Sequence, residues 1–157
     1  MQKIFFILLL FPTLAWACPG YVIGFKGKDN RFDQQAFEQY AQHFGYCARS
    51  YAWNETAQAL KFVSTHAQPY HLYGYSLGAV SVRMFLEKST ALPERVITIG
   101  AYKTTNVNFD RFGVRYQNFF DHSGRGQTSP GQFVDATHSQ IQQRVNDILR
   151  KELESKH

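Results

Sequence analysis

Three residues, in one chain order, carry the chemistry this sequence offers. Ser76 stands between two glycines in Gly74-Tyr75-Ser76-Leu77-Gly78. Asp121 follows 45 residues later, and His138 a further 17 residues on. A serine hydroxyl is a weak nucleophile alone. It needs a base to take its proton, and the base needs an acid to orient it. Nucleophile, acid, base is the order in which a parallel sheet with intervening helices presents such a set. The reaction these groups support is attack on an acyl carbonyl through a covalent intermediate. It needs no cofactor and no metal, and neither is expected.

The glycines follow from the backbone. A serine projected from a sharp turn between a strand and a helix has strained dihedral angles. Side chains two residues away on either side would collide with the neighbouring strand and helix, and glycine avoids that. A short aromatic-rich run beginning at Tyr70 reads as a strand that runs into Gly-x-Ser-x-Gly, and Ala79 to Lys88 reads as the helix.

Asp121 ends an apolar run, Phe119-Phe120-Asp121, and opens a loop. Asp135 is its rival, but it lies just before the last helix, where an aspartate usually caps. Asp110 is a more distant candidate. For the base, Thr137-His138-Ser139-Gln140 reads as a capping box, with Thr137 as N-cap and Gln140 at the third helical position. That places His138 in a first helical turn, where the dipole disfavours the imidazolium and keeps the ring neutral, as a general base requires. His122 adjoins Asp121 and is the main rival. His43, His66 and His71 come too early in the chain.

An oxyanion needs two backbone N–H groups. One is the amide of Leu77, directly after the serine. The second comes from the loop after the first strand, from Phe25 or Lys26, and the sequence does not choose between them. Lys26, Lys28 and Arg31 make that loop basic. This reads either as a solvated surface or as a preference for acidic or phosphate-bearing substrates.

The elements that must position these groups alternate. Tyr21–Phe25 is a continuous apolar run, as in a strand buried on both faces. Asp33 caps a helix whose stripe is Ala36, Phe37, Tyr40, Ala41 and Phe44, with Phe32 and Phe37 as a staple and Gly45 as the stop. Tyr46–Tyr51 is a second strand. Asn54 caps a helix running to about His66. Arg95–Ile99 is the fourth strand and Val114–Phe120 the fifth. An amphipathic helix with Ile141, Val145, Ile148 and Leu149 on one face ends the chain. Strands alternating with helices give an α/β fold: an about five-stranded parallel sheet, order 2-1-3-4-5, with helices on both faces and the site at the carboxyl ends of the strands.

The 157 residues divide into a leader and one domain. Lys3, the apolar run Ile4 to Phe11 and the small-x-small site Ala15-Trp16-Ala17 read as a secretory signal peptide over 1–17, leaving 18–157 as the domain. No later run has the length of a membrane span. The net charge is +5, or +4 once Lys3 is removed, and no dense Lys/Arg run with interleaved aromatics argues for nucleic acid. The expected location is exported, periplasmic or secreted. Cys18 and Cys47 are the only cysteines. In an oxidising setting a disulfide is the default, and parallel neighbouring strands would put the two about 5 Å apart. Lipidation of Cys18 at the first mature position is the alternative, though Trp16 suits a lipoprotein signal poorly. Oligomeric state is not legible.

With Gly74-Tyr75-Ser76-Leu77-Gly78, Asp121 and His138 in this order, the chain resembles the α/β-hydrolase superfamily, and within it the small, lidless, cutinase-like esterases and lipases. The resemblance implies a serine ester hydrolase with Ser76 as nucleophile, Asp121 as acid and His138 as base. It departs from the family in lacking room for two leading strands. The strand between acid and histidine is absent or reduced to Gln132-Phe133-Val134, and Gly24-Phe25-Lys26-Gly27 stands where a His-Gly pair is usual. No insertion is long enough for a cap, so a shallow, open cleft is expected, for a small-molecule or surface-borne ester. An acyltransferase or thioesterase could use the same residues. A non-catalytic binding protein could retain them by descent.

Overall fold

A computed structural model describes residues 17–101, 112–124 and 131–155. Asp110 and residues 1–16, nearly all of the expected leader, lie outside them. In chain order the elements are β1 (Tyr21–Phe25), α1 (Gln34–His43), β2 (Cys47–Tyr51), α2 (Thr56–Thr65), β3 (Tyr70–Tyr75), α3 (Gly78–Lys88), β4 (Arg95–Ile99), β5 (Arg115–Phe120), β6 (Gln132–Phe133) and α4 (Ile141–Glu154). A single 3₁₀ turn, Lys28–Asn30, follows β1. The sheet is parallel throughout, in the order β2-β1-β3-β4-β5-β6. This is the expected order with one short strand added at the edge.

Alternation along the strands divides the core in two. Val22, Tyr73, Ile97, Ile99 and Phe119 meet Phe37, Tyr40 and Ala41 of α1 and Ile141, Val145 and Leu149 of α4. Ile23, Phe25, Leu72 and Val96 meet Ala59 and Val63 of α2 and Val82, Phe85 and Leu86 of α3. The helices thus cover both faces, and most of the aromatic side chains belong to these two cores. The Asp33 side chain accepts from the Ala36 amide at 2.9 Å, and the Phe32 and Phe37 rings lie 5.0 Å apart, as the cap and staple require.

Two helix starts differ from the sequence pattern. Asn54 does not cap α2. Glu55 occupies that position, and its carboxylate accepts from the Ala52 amide instead. The last helix begins at Ile141, because the Thr137 hydroxyl donates to the Gln140 side chain rather than engaging a backbone amide. The Gln140 and Ile141 amides both donate to the Thr137 carbonyl, closing a turn that carries His138 and leads directly into α4.

Cys18 and Cys47 form a disulfide, with Cα atoms 5.7 Å apart. A sulfur bonded in this way cannot also carry a lipid. The bridge closes a loop across 29 residues, worth about 3–4 kcal/mol in the chain-entropy model. Such a bond is consistent with an extracellular location. Among the described residues no helix is long and apolar enough to cross a membrane.

His71, on β3, is buried at 4 % exposure between Tyr40, Phe44 and Tyr46, at the end of the sheet opposite Ser76. Its Nδ1 lies 3.1 Å from the Tyr40 hydroxyl, and its Nε2 lies 3.6 Å from Glu94. Burial, and then the nearby Arg95 charge, push its pKa down to about 4 against the pull of Glu94. The unfolded chain therefore binds a proton near pH 6.5 that the folded chain refuses. Stability is full above about pH 6.5 and falls as the pH drops toward about 4, by roughly 3 kcal/mol. Urea unfolding at pH 7.5 and 4.5 measures this, and His71→Gln should flatten the slope over that interval. An unchanged slope would exclude His71 as its source.

Candidate active site

Ser76 occupies the turn between β3 and α3 with φ +52°, a left-handed conformation that costs a non-glycine residue about 1–2 kcal/mol. Two kinds of contact hold it there. The Ser76 amide donates to the Ile99 carbonyl at the end of β4, at 2.9 Å. The flanking glycines allow the approach: a Cβ on Gly74 would lie 2.7 Å from Val82, and one on Gly78 would lie 2.1 Å from the Phe25 carbonyl oxygen. Leu77 stands at the N-cap of α3, so its amide is among those that the helix itself leaves unpaired.

The loop after β1 closes over this turn. A Cβ on Gly27 would lie 3.2 Å from the Ser76 Cβ. Of the two amides the sequence offers as second oxyanion donor, that of Lys26 donates to the Tyr51 carbonyl at 2.9 Å. Phe25 is still within β1, paired with Gly74 and Tyr51. Gly27, the residue against Ser76, has its amide on the Arg31 carbonyl at 3.0 Å.

Asp121 directly follows β5, and its side chain is fully buried. Its Oδ2 lies 2.6 Å from His138 Nδ1. Its Oδ1 accepts from both the amide and the hydroxyl of Ser123. Burial pushes the carboxyl pKa up. The bonds from Ser123 and His138 outweigh it and hold the group below its ordinary value, so Asp121 is an anion at neutral pH. With Nδ1 engaged by Asp121, Nε2 is the ring nitrogen left to exchange a proton.

Ser76, Leu77 and His138 line one open cleft of about 1140 Å³, together with Phe32, Tyr75 and Ser123. Lys28 and Arg31 of the basic loop also line it, with Asp29 and Asp33. The volume admits a substrate of drug size or larger.

The rival residues go elsewhere. His122 Nε2 pairs with Asp135 at 2.6 Å on the exposed surface. His71 is buried at the opposite end of the sheet. His66 bonds the Phe62 carbonyl at the end of α2. His43 lines a small polar depression between α1 and α4. Three neighbours of the site were not legible in the motif: Ser123, Tyr75 and Gly100. Ser123 had a signal, since a residue two positions after an aspartate commonly donates back to its carboxylate. Gly100 and Tyr75 had none beyond their places next to strand ends.

No protein-family model matches the sequence, and no curated protein matches it. Solved structures do match in shape. One is a protein from Xanthomonas campestris described as an α/β-superfamily hydrolase, with 13% identity and a TM-score of 0.60, covering 87% of this chain and 98% of its own. Another is a cutinase-like protein from Cryptococcus, at 16% identity and a TM-score of 0.52, covering 90% and 96%. A third is YbtT, a type II thioesterase of the yersiniabactin pathway, at 10% identity and a TM-score of 0.51, covering 92% and 95%.

Proposed function

We propose that this chain, which has the fold of the α/β-hydrolase superfamily, is an exported serine hydrolase that cleaves carboxylic esters through an acyl-enzyme on Ser76. One observation carries the reading. A buried, ionised aspartate holds a histidine by Nδ1 in the same cleft as a serine strained onto a sharp turn. In the proposed cycle Ser76 Oγ attacks the ester carbonyl carbon while His138 Nε2 takes its proton. Asp121 fixes the tautomer and stabilises the imidazolium. The Leu77 amide receives the oxyanion. The proton on His138 passes to the departing alkoxide. Water then attacks the acyl-enzyme and gives a proton to His138, which passes it to Ser76 Oγ as the acid leaves, restoring free Ser76 and neutral His138. Residues 1–17 as a leader and the Cys18–Cys47 bridge support export.

A thioesterase is the second reading, favoured by the likeness in shape to YbtT. A fluorophosphonate probe tests the class, and the labelled peptide should contain Ser76. A panel of p-nitrophenyl esters and acyl thioesters of graded chain length then separates the substrates. Turnover is expected on the esters, highest for short and medium acyl chains, since no insertion in the sequence is long enough for a cap domain. Turnover confined to thioesters would favour the second reading. A folded protein that takes no label would be a binding protein on this scaffold.

A further inference from the structure

Two residues outside the Ser–Asp–His set seat the His138 ring. Tyr75, immediately before the nucleophile, lies nearly parallel to the imidazole, with centroids 5.1 Å apart and 23° between the planes. Its hydroxyl donates to the His138 backbone carbonyl at 2.7 Å. Gly100, immediately after β4, borders the Nδ1–Cε1 edge of the ring. A Cβ there would lie 2.7 Å from Cε1 and 2.8 Å from Nδ1, and the backbone sits at φ +55°. The Gly100 amide donates to the Phe119 carbonyl at 2.8 Å, one residue pair from the strand end that delivers Asp121. The slot thus joins three strand ends: β3 through Tyr75, β4 through Gly100 and β5 through Asp121.

Tyr75 is also a core residue, at 5 % exposure. Core packing explains an aromatic side chain on this face of β3. It does not explain why that side chain makes both a ring contact and a hydrogen bond to His138, which lies in the turn just before α4. We propose that Tyr75 is a positioning residue for His138. Its ring and hydroxyl hold the imidazole on Asp121, and its π face favours the imidazolium that forms when the serine proton is taken. Gly100 leaves the space for that seat. The inference rests on His138 being the base of the proposed hydrolase.

The test compares Tyr75→Leu, which removes the aromatic face and the hydroxyl, with Tyr75→Phe, which removes only the hydroxyl. Two readouts are taken on folded protein: kcat and KM on a short p-nitrophenyl ester, and the downfield ¹H resonance of the His138 Nδ1 proton shared with Asp121. In Tyr75→Leu, kcat should fall about 10–100-fold with KM within about two-fold, and the resonance should broaden or vanish. Tyr75→Phe should restore the resonance and most of kcat. A folded Leu variant in which either readout is unchanged overturns the proposal, as does a Phe variant no better than Leu. Should Tyr75→Leu fail to fold, Gly100→Ala decides: an intact resonance there refutes the slot. If the native protein hydrolyses no ester, the hydrolase reading fails, while the resonance still reports on the seat independently.

Discussion

Replacing Ser76 with alanine abolishes fluorophosphonate labelling and lowers ester hydrolysis by at least about 10⁴-fold, the scale on which loss of a triad nucleophile is felt. The fold should survive, because only the hydroxyl is lost. The strained backbone is held by the Ser76 amide on Ile99 and by the close approaches at Gly74 and Gly78, none of which uses Oγ. Among the described residues two other serines, Ser123 and Ser139, line the cleft. The Ser123 hydroxyl donates to Asp121, and the Ser139 hydroxyl lies 3.2 Å from that of Thr137. Intact-protein mass after probe treatment reads the result directly. Label on Ser123 or Ser139, or undiminished label on the alanine variant, would remove Ser76 from the role of nucleophile.

That a site of this kind was legible from sequence rests on how strongly some steps are constrained. The turn at Ser76 admits few residues: glycine at 74 because α3 crosses there, and glycine at 78 because the Phe25 carbonyl does. Buried parallel strands are continuous apolar runs, so β1 and β4 were visible to the residue, and β3 at its start. The bridge followed from placing Cys18 and Cys47 at the same ends of adjacent parallel strands, and the register Tyr21↔Cys47 realises that placement.

What escaped the sequence was set by tertiary contacts without local pattern. β6 has two residues, too few to show a period, so the sequence left open whether this strand is absent or reduced to Gln132-Phe133-Val134; its pairing with Phe119 and Phe120 of β5 makes it a strand. The start of α4 depended on which partner the Thr137 hydroxyl takes, a choice between a backbone amide and the Gln140 side chain. The second oxyanion amide depended on which N–H groups the sheet consumes, and the Lys26 amide goes to Tyr51 across β2. Gly100 was visible only as the residue after a strand. Its reason is the His138 ring, which arrives from 38 residues further along the chain.

His138→Ala and His122→Ala separate the two histidines that the sequence placed near Asp121. His138→Ala is expected to lower kcat by about 10⁴-fold or more, and His122→Ala to leave it within about three-fold. The difference follows from where each ring is held. His138 reaches a side chain with no exposed surface, and the carboxylate it meets is kept ionised by Ser123 and by His138 itself, against the cost of burial. His122 meets Asp135 with more than half of each side chain in water, where an ion pair contributes about 0–1 kcal/mol. Asp121→Asn supplies the third measurement. Its geometry should persist, but a neutral amide can no longer select the tautomer with Nε2 free, so kcat should fall by about 10⁴-fold with little change in KM. Rates measured at saturating ester for the three variants, each checked for cooperative unfolding, decide the matter. Equal losses at His122 and His138 would dissolve the assignment of the base. A full-rate Asp121→Asn would show that the buried Asp121–His138 bond, however well made, belongs to the fold and not to the reaction.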